Sequence, residues 1–194
     1  MVLRQARRLV GHAAISTGAE RRDIGIRGDR PVKQFLSVIV VAFCVFAGTG
    51  TGWAGNYAKG YDAYLRGDFG AALKLWKPLA EEGDVKTQNN LAWLYLKGDG
   101  VPQDLSEAAR WFRKAAEQGL AVAQSTLAVM LARGSGVPKD LLAGYMWADI
   151  AATNGNTNAA NVKAALTAKL SSEDRAAAQV RAKRCIASDY QDCD

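Results

Sequence analysis

Few residues in this chain are of the types that carry chemistry. It has one histidine, His12, and three cysteines, Cys44, Cys185 and Cys193. Carboxylates occur side by side at Glu81-Glu82 and Glu173-Asp174. Histidine is the commonest general base near neutral pH and a common metal ligand, and one of them, far from the other candidates, assembles neither a catalytic dyad nor a metal centre. A zinc site needs about four Cys, His or carboxylate ligands, which two C-terminal cysteines do not supply. Gly98-x-Gly100 follows a helical pattern rather than a strand and lacks the Gly-Lys-Ser/Thr continuation of a phosphate-binding loop. Asp99 and Asp104 miss the alternating oxygen ligands of a calcium loop. The carboxylate pairs sit at predicted helix ends and read as solvated charges. The expectation is a protein with no catalytic residue, no metal and no cofactor, which is therefore not an enzyme.

Two of the reactive residues belong to a segment with another purpose. Lys33 precedes the apolar run Phe35–Ala47, and the small residues Gly48-Thr49-Gly50-Thr51-Gly52 lead to a cleavage point near Ala54. A basic start, an apolar stretch of about 7–15 residues and a small-residue end are the three parts of a secretory signal. The run is shorter than the ~20 apolar residues of a membrane-spanning helix; the competing readings are an uncleaved anchor and a core helix. Residues 1–31 carry Glu20, Asp23 and Asp29 and make a poor leader, so translation is expected to start at Val32, which gives Val32-Lys33-Gln34-Phe35. The arginine pairs Arg7-Arg8 and Arg21-Arg22 lie too far from the run to act as a twin-arginine export signal. Cys44 lies inside the run behind Phe43, a poor context for lipid attachment, and would leave with the signal. Cys185 and Cys193 then form an even pair, which reads as a disulfide in an exported protein, free thiols being the alternative. The expected location is periplasmic or secreted.

The charge is unevenly placed. The whole chain of 194 residues has a net charge of +6. Residues 1–54 hold eight Lys/Arg against three Asp/Glu, whereas residues 55–194 hold seventeen against sixteen. The near-neutral body lacks the basic stripe that a nucleic-acid surface requires. Membrane contact is expected only through the export signal, and the oligomeric state is left open.

The elements that must position any site follow from an internal repeat. Leu91-Ala92-x-x-Tyr95-x-x-Gly98-x-Gly100-Val101-Pro102-x-Asp104 returns 36 residues later as Leu127-Ala128-x-x-Leu131-x-x-Gly134-x-Gly136-Val137-Pro138-x-Asp140. Ala80, Ala116 and Ala152 keep the same register, as do Gly83, Gly119 and Gly155, and Gln88 and Gln124. A period of this size marks stacked supersecondary units. In the middle unit the spacing predicts helices over 85–97 and 105–118. Glycine ends the first, Pro102 cannot continue it, and Asp104 with Glu107 forms a capping box for the second. Leu91, Ala92 and Tyr95 share one face of the first helix; Ala108, Trp111, Phe112, Ala115 and Ala116 share one face of the second. The first unit has the shorter turn Arg66-Gly67-Asp68 and a proline, Pro78, inside its second helix, where a kink is expected unless an end is near. The third unit has Leu131 and Gly144 at the places of Tyr95 and Ala108, so looser packing is expected there. It closes with Tyr145-Met146-Trp147, Ala151-Ala152 and Gly155. A degenerate pair follows over about 157–170 and 173–188, the second capped by Ser171 with Asp174.

The fold class expected is all-α, an α/α superhelix of about three helix-turn-helix repeats plus a C-terminal capping helix pair. The divisions are 1–54 for the extension and signal-type segment, 55–156 for the repeats (about 57–83, 84–119 and 120–156), and 157–194 for the capping helices and tail.

The run from Leu91 to Asp104, continued by Ala108-x-x-Trp111-Phe112-Arg113-Lys114-Ala115-Ala116-Glu117-Gln118-Gly119, closely resembles the Sel-like repeat, a relative of the tetratricopeptide repeat. The resemblance covers about residues 57–156, and the segment from Tyr145 to Gly155, with Trp147, is similar to the usual closing unit. It implies an α/α superhelix with a concave groove, adaptor roles in assembling complexes and, in bacteria, exported members with envelope, stress or host-facing functions. It implies no fixed ligand.

Residues that the repeat does not require are the candidates for function. Trp93 and Leu96 lie off the Leu91/Ala92/Tyr95 face, with Asn89, Asn90 and Lys97 as polar neighbours; Thr126, Val129 and Arg133 are among the corresponding third-unit positions. A large aromatic ringed by polar groups is a common anchor for a protein or peptide partner; the competing reading makes Trp93 a packing residue. A protein or peptide partner is expected, held by an adaptor of the cell envelope. The rival expectations are a structural protein touching peptidoglycan or the membrane surface and, third, a cell-wall enzyme.

Overall fold

The computed structural model describes residues 50–193, with side chains from Gly55 onward. His12, the start at Val32, the apolar run 35–47 and Cys44 lie outside the described residues. Regular structure among the described residues is helical throughout: α1 (Gly50–Leu65), α2 (Phe69–Glu81), α3 (Val85–Lys97), α4 (Leu105–Ala116), α5 (Ala121–Arg133), α6 (Leu141–Thr153), α7 (Thr157–Thr167) and α8 (Ser172–Ala187). The expected junction near Ala54 falls inside α1.

Local chemistry sets the helix ends. Asp68, Asp84, Asp104, Asp140, Asn156 and Ser171 each accept a hydrogen bond from a backbone N–H in the first turn of the helix that follows, which satisfies donors without an intrahelical partner. α5 starts at Leu120 without such a cap. Gly98 and Gly134 end α3 and α5 in the left-handed conformation, at φ 80° and 74°. Two expectations are corrected. α4 stops at Ala116 rather than 118, and α7 at Thr167 rather than 170. The capping box at α4 is half formed: Asp104 Oδ1 accepts from the N–H groups of Ser106 and Glu107, but Glu107 turns to the Arg110 guanidinium at 2.6 Å. The Asp104 N–H goes instead to the Tyr95 carbonyl at 3.0 Å. Pro78 sits one turn from the end of α2, and the carbonyl of Pro78 accepts from the N–H of Glu82.

Consecutive helices pack antiparallel from α1 to α7, and the residues that keep the repeat form one core. Leu91, Ala92, Ala108, Phe112, Ala115, Ala116, Leu127 and Ala128 are fully buried. Trp76 and Phe112 hold one position of successive second helices, Trp147 lies one residue short of that position in the third, and all three are at most 1% exposed; each such burial contributes about 2–3 kcal/mol. In the first unit the rings of Tyr57 and Tyr64 pack on Trp76, and Phe69 meets Tyr64 edge to face. The third unit is tighter than expected. Gly144 is buried, and a Cβ there would lie 3.0 Å from the Ala128 carbonyl, so the glycine is what lets α6 lie close on α5.

Polar groups recur inside the core. Gln88 Nε2 donates to the Ala80 carbonyl at 3.1 Å, and Gln124 Nε2 to the Ala116 carbonyl at 3.0 Å. Each glutamine thereby adds a second donor to a carbonyl in the last turn of the preceding helix, beside the N–H of Gly83 or Gly119. The turns bind successive units in another way. A Cβ at Gly100 would lie 2.7 Å from Phe69 Cβ and 2.9 Å from the Gly70 nitrogen; one at Gly136 would collide with the Leu105 carbonyl and lie 2.7 Å from the Ser106 nitrogen. Each turn therefore rests on the start of the second helix of the preceding unit.

The two C-terminal helices both lie on α6, with few contacts between them; α7 also touches α5. Arg175 Nη1 on α8 donates to the carbonyls of Thr167 and Leu170. Cys185 and Cys193 are joined by a disulfide, with Cα atoms 4.4 Å apart. The tail folds back so that the Tyr190 hydroxyl accepts from Asn154 Nδ2 at 2.8 Å.

Candidate functional site

The first helices of successive units, α3 and α5, together with α7, line an open cavity of about 320 Å³. From α3 it takes Trp93 and Leu96. From α5 come Ser125, Thr126, Val129, Met130 and Arg133, with Ser135 in the following turn, and α7 adds Asn158 and Val162. Met130 and Ser125 are buried and Trp93, Leu96 and Val162 pack partly against the core, whereas Thr126 and Val129 are half-buried and Arg133 and Asn158 exposed. The alternation of packing face and free face along α3 and α5 therefore leaves an open surface along one side of the array.

Trp93 is half-buried. Its ring meets Phe112 edge to face, with centroids 5.3 Å apart and planes at 87°, an arrangement worth about 0.5–1.5 kcal/mol beyond the buried area. Lys97 Nζ lies 5.8 Å from the Trp93 ring centroid. Trp93 therefore packs on its own unit through one edge and still lines the cavity. The Thr126 hydroxyl donates to the Val122 carbonyl at 2.9 Å, which commits its proton within α5 and leaves its oxygen able to accept. Arg133 and Lys97 occupy the last turns of α5 and α3, where the carbonyl ends of the helices favour cations by roughly 0.3–1 kcal/mol. No lining residue is acidic.

Of the eight expected partner-binding residues, Trp93, Leu96, Thr126, Val129 and Arg133 come together in the cavity wall. Lys97 stands over the Trp93 ring without lining the cavity. Asn90 is half-buried and off the wall, and Asn89 has a buried Oδ1 without a hydrogen-bond partner. Sequence reasoning missed Ser125, Met130, Ser135, Asn158 and Val162. Ser125 is 36 residues after Asn89, so the period could have nominated it. Asn158 and Val162 lie on a helix outside the repeat and carry no such signal.

Outside the cavity, Trp111 Nε1 is buried without a hydrogen-bond partner, while its ring is flanked by Arg110 at 4.4 Å and Lys114 at 4.7 Å. Among the described residues no group of three or more His, Cys, Asp or Glu is placed to hold a metal ion, and no helix is long and apolar enough to cross a membrane.

A family model described as the Sel1 repeat matches residues 85–120 and 121–156, the two units that frame the cavity. Among solved structures, the chain resembles a protective antigen present in uropathogenic Escherichia coli strains that displays an SLR fold. The TM-score is 0.66 at 27% identity, over 74% of this chain and 32% of that one. It also resembles a Sel1 repeat protein from Oxalobacter formigenes, with a TM-score of 0.51 at 32% identity, over 53% of this chain and 42% of that one. The chain thus spans about a third and about two fifths of the lengths of these relatives. A comparison with curated proteins gives no significant match.

Proposed function

Because the chain carries Sel1 repeats, we propose that it is a non-enzymatic adaptor of the bacterial cell envelope that holds a protein or peptide partner in the groove between α3, α5 and α7. Sel1-repeat proteins generally mediate protein–protein interaction, and the family is typically a scaffold without catalysis. The observation that carries the reading is the cavity itself: a half-buried tryptophan among apolar and polar side chains, with Thr126 and Val129 half-buried and Arg133 exposed beside it. Anchors of this kind supply much of the affinity of an interface. Export is supported by the signal-type segment before Ala54 and by the Cys185–Cys193 disulfide, a bond typical of oxidising compartments.

Crosslinking and pull-down of the tagged chain from its own cells test the proposal. The expected result is a stoichiometric protein partner that is lost in Trp93→Ala, with a melting temperature only a few degrees lower. Sedimentation with cell-wall sacculi and no protein partner would favour a structural envelope role instead.

A further inference from the structure

We infer that the groove receives an acidic peptide segment, one that sets a large apolar side chain beside a carboxylate. This rests on the groove being the partner site. The floor made by Trp93, Leu96, Val129, Met130 and Val162 calls for an apolar side chain, and a cavity of about 320 Å³ accepts side chains rather than a folded body. The rim calls for negative charge. Lys97 and Arg133 are 36 residues apart and hold the same place in successive units, so they form a repeated basic position along the groove. Among the described residues neither is ion-paired, whereas Arg110, Lys163 and Arg184 are tied to Glu107, Asp149 and Asp192. No acidic side chain lines the cavity to neutralise them. A basic segment would meet uncompensated repulsion there, and an acidic one would be steered in. A nucleic-acid strand is disfavoured because residues 55–194 hold seventeen Lys/Arg against sixteen Asp/Glu and so carry no extended basic stripe.

The test uses the full chain and three fluorescein-labelled probes: acetyl-Gly-Asp-Leu-Phe-Glu-Gly-amide, its Lys-for-acid counterpart, and a thymidine oligonucleotide. Fluorescence anisotropy should show the acidic peptide binding at least tenfold tighter than the basic one, with affinity falling as salt rises. Arg133→Glu and Lys97→Glu should each weaken it by roughly five- to tenfold, with unchanged circular dichroism. Equal binding of the two peptides, binding of neither up to millimolar concentration, tighter binding of the oligonucleotide, or indifference to both reversals overturns the inference. The pull-down separates this failure from that of the adaptor reading. A cellular partner lost in Trp93→Ala but kept in Arg133→Glu and Lys97→Glu leaves the groove as the site and removes only its acidic preference. If no partner is captured at all, the adaptor reading itself falls.

Discussion

Gln118 Nε2 donates to Gln88 Oε1 at 2.8 Å, and 36 residues further on Asn154 Nδ2 donates to Gln124 Oε1 at 2.9 Å. With the bonds from Gln88 and Gln124 to the carbonyls of Ala80 and Ala116, each pair forms a short relay. It runs from the end of one second helix, through the next first helix, to the end of the following second helix. A half-satisfied relay in a low-dielectric interior is costly.

Gln124→Ala should therefore destabilise the protein by roughly 1–3 kcal/mol, because it removes two buried hydrogen bonds at once: its donation to the Ala116 carbonyl, which keeps only the Gly119 N–H, and the acceptor of Asn154. Gln118→Ala, at an exposed position, should cost under about 1 kcal/mol. Urea unfolding of the two variants checks the ranking, and equal effects would contradict it.

The turns give a second contrast. Gly136 has φ 72° and backbone atoms of Leu105 and Ser106 where a Cβ would sit; Gly155 has φ 85° and nothing within 4 Å. Gly155→Ala should cost about 1–2 kcal/mol of backbone strain, and Gly136→Ala about 1–3 kcal/mol more through the collision. Thermal unfolding should separate them by several degrees.

The disulfide closes a short loop, with Cys185 and Cys193 eight positions apart in the sequence. Loop-closure entropy of that size corresponds to about 2–3 kcal/mol. Cys193→Ser should lower the melting temperature accordingly and make it insensitive to dithiothreitol, while the unaltered chain should lose a similar amount on reduction. Release of the tail should also free Asn154 from Tyr190, readable as faster amide exchange near the end of α6.

Lys163 on α7 bonds Asp149 on α6, and this hydrogen bond raises the Lys163 pKa above its ordinary 10.5 against the opposing effect of burial. A raised folded-state value means that the stabilisation is fully present below pH 10.5 and fades as pH climbs through the higher value. The stability difference between the unaltered chain and Lys163→Met should be constant, within about 1 kcal/mol for this partly exposed pair, from pH 8 to 10. It should then shrink above that range. Chemical denaturation at stepped pH measures it, and a difference that grows with alkali would contradict the assignment.

The features legible in the sequence are those whose causes are local. Asp104, Asp140 and Ser171 announce helix starts because a short oxygen-bearing side chain satisfies N–H groups two or three residues away, and Gly98 and Gly134 announce helix ends through their backbone freedom. Trp93 and Val129 could be placed on the free face by period alone. Val162 could not, because α7 lies outside the repeat and reaches the groove only by docking on α5 and α6. Glu107 departs from the capping box because two partners compete for it, and Arg110, one turn along the same helix, offers a charged bidentate bond that outweighs one neutral backbone N–H. Gly144 suggests a gap in the sequence and becomes a close approach once α5 is beside it.

The contact of the Gly100 and Gly136 turns with Phe69–Gly70 and Leu105–Ser106 has a consequence for how such a chain can diverge. Main chain lies against main chain at these junctions, so the spacing and tilt between neighbouring units do not depend on which side chains face the groove. Exchanges at Val129 and Thr126 leave these junctions in place. Substitution on the groove side of α3 and α5 would thus leave these main-chain junctions untouched, whereas a side chain at either glycine would push neighbouring units apart.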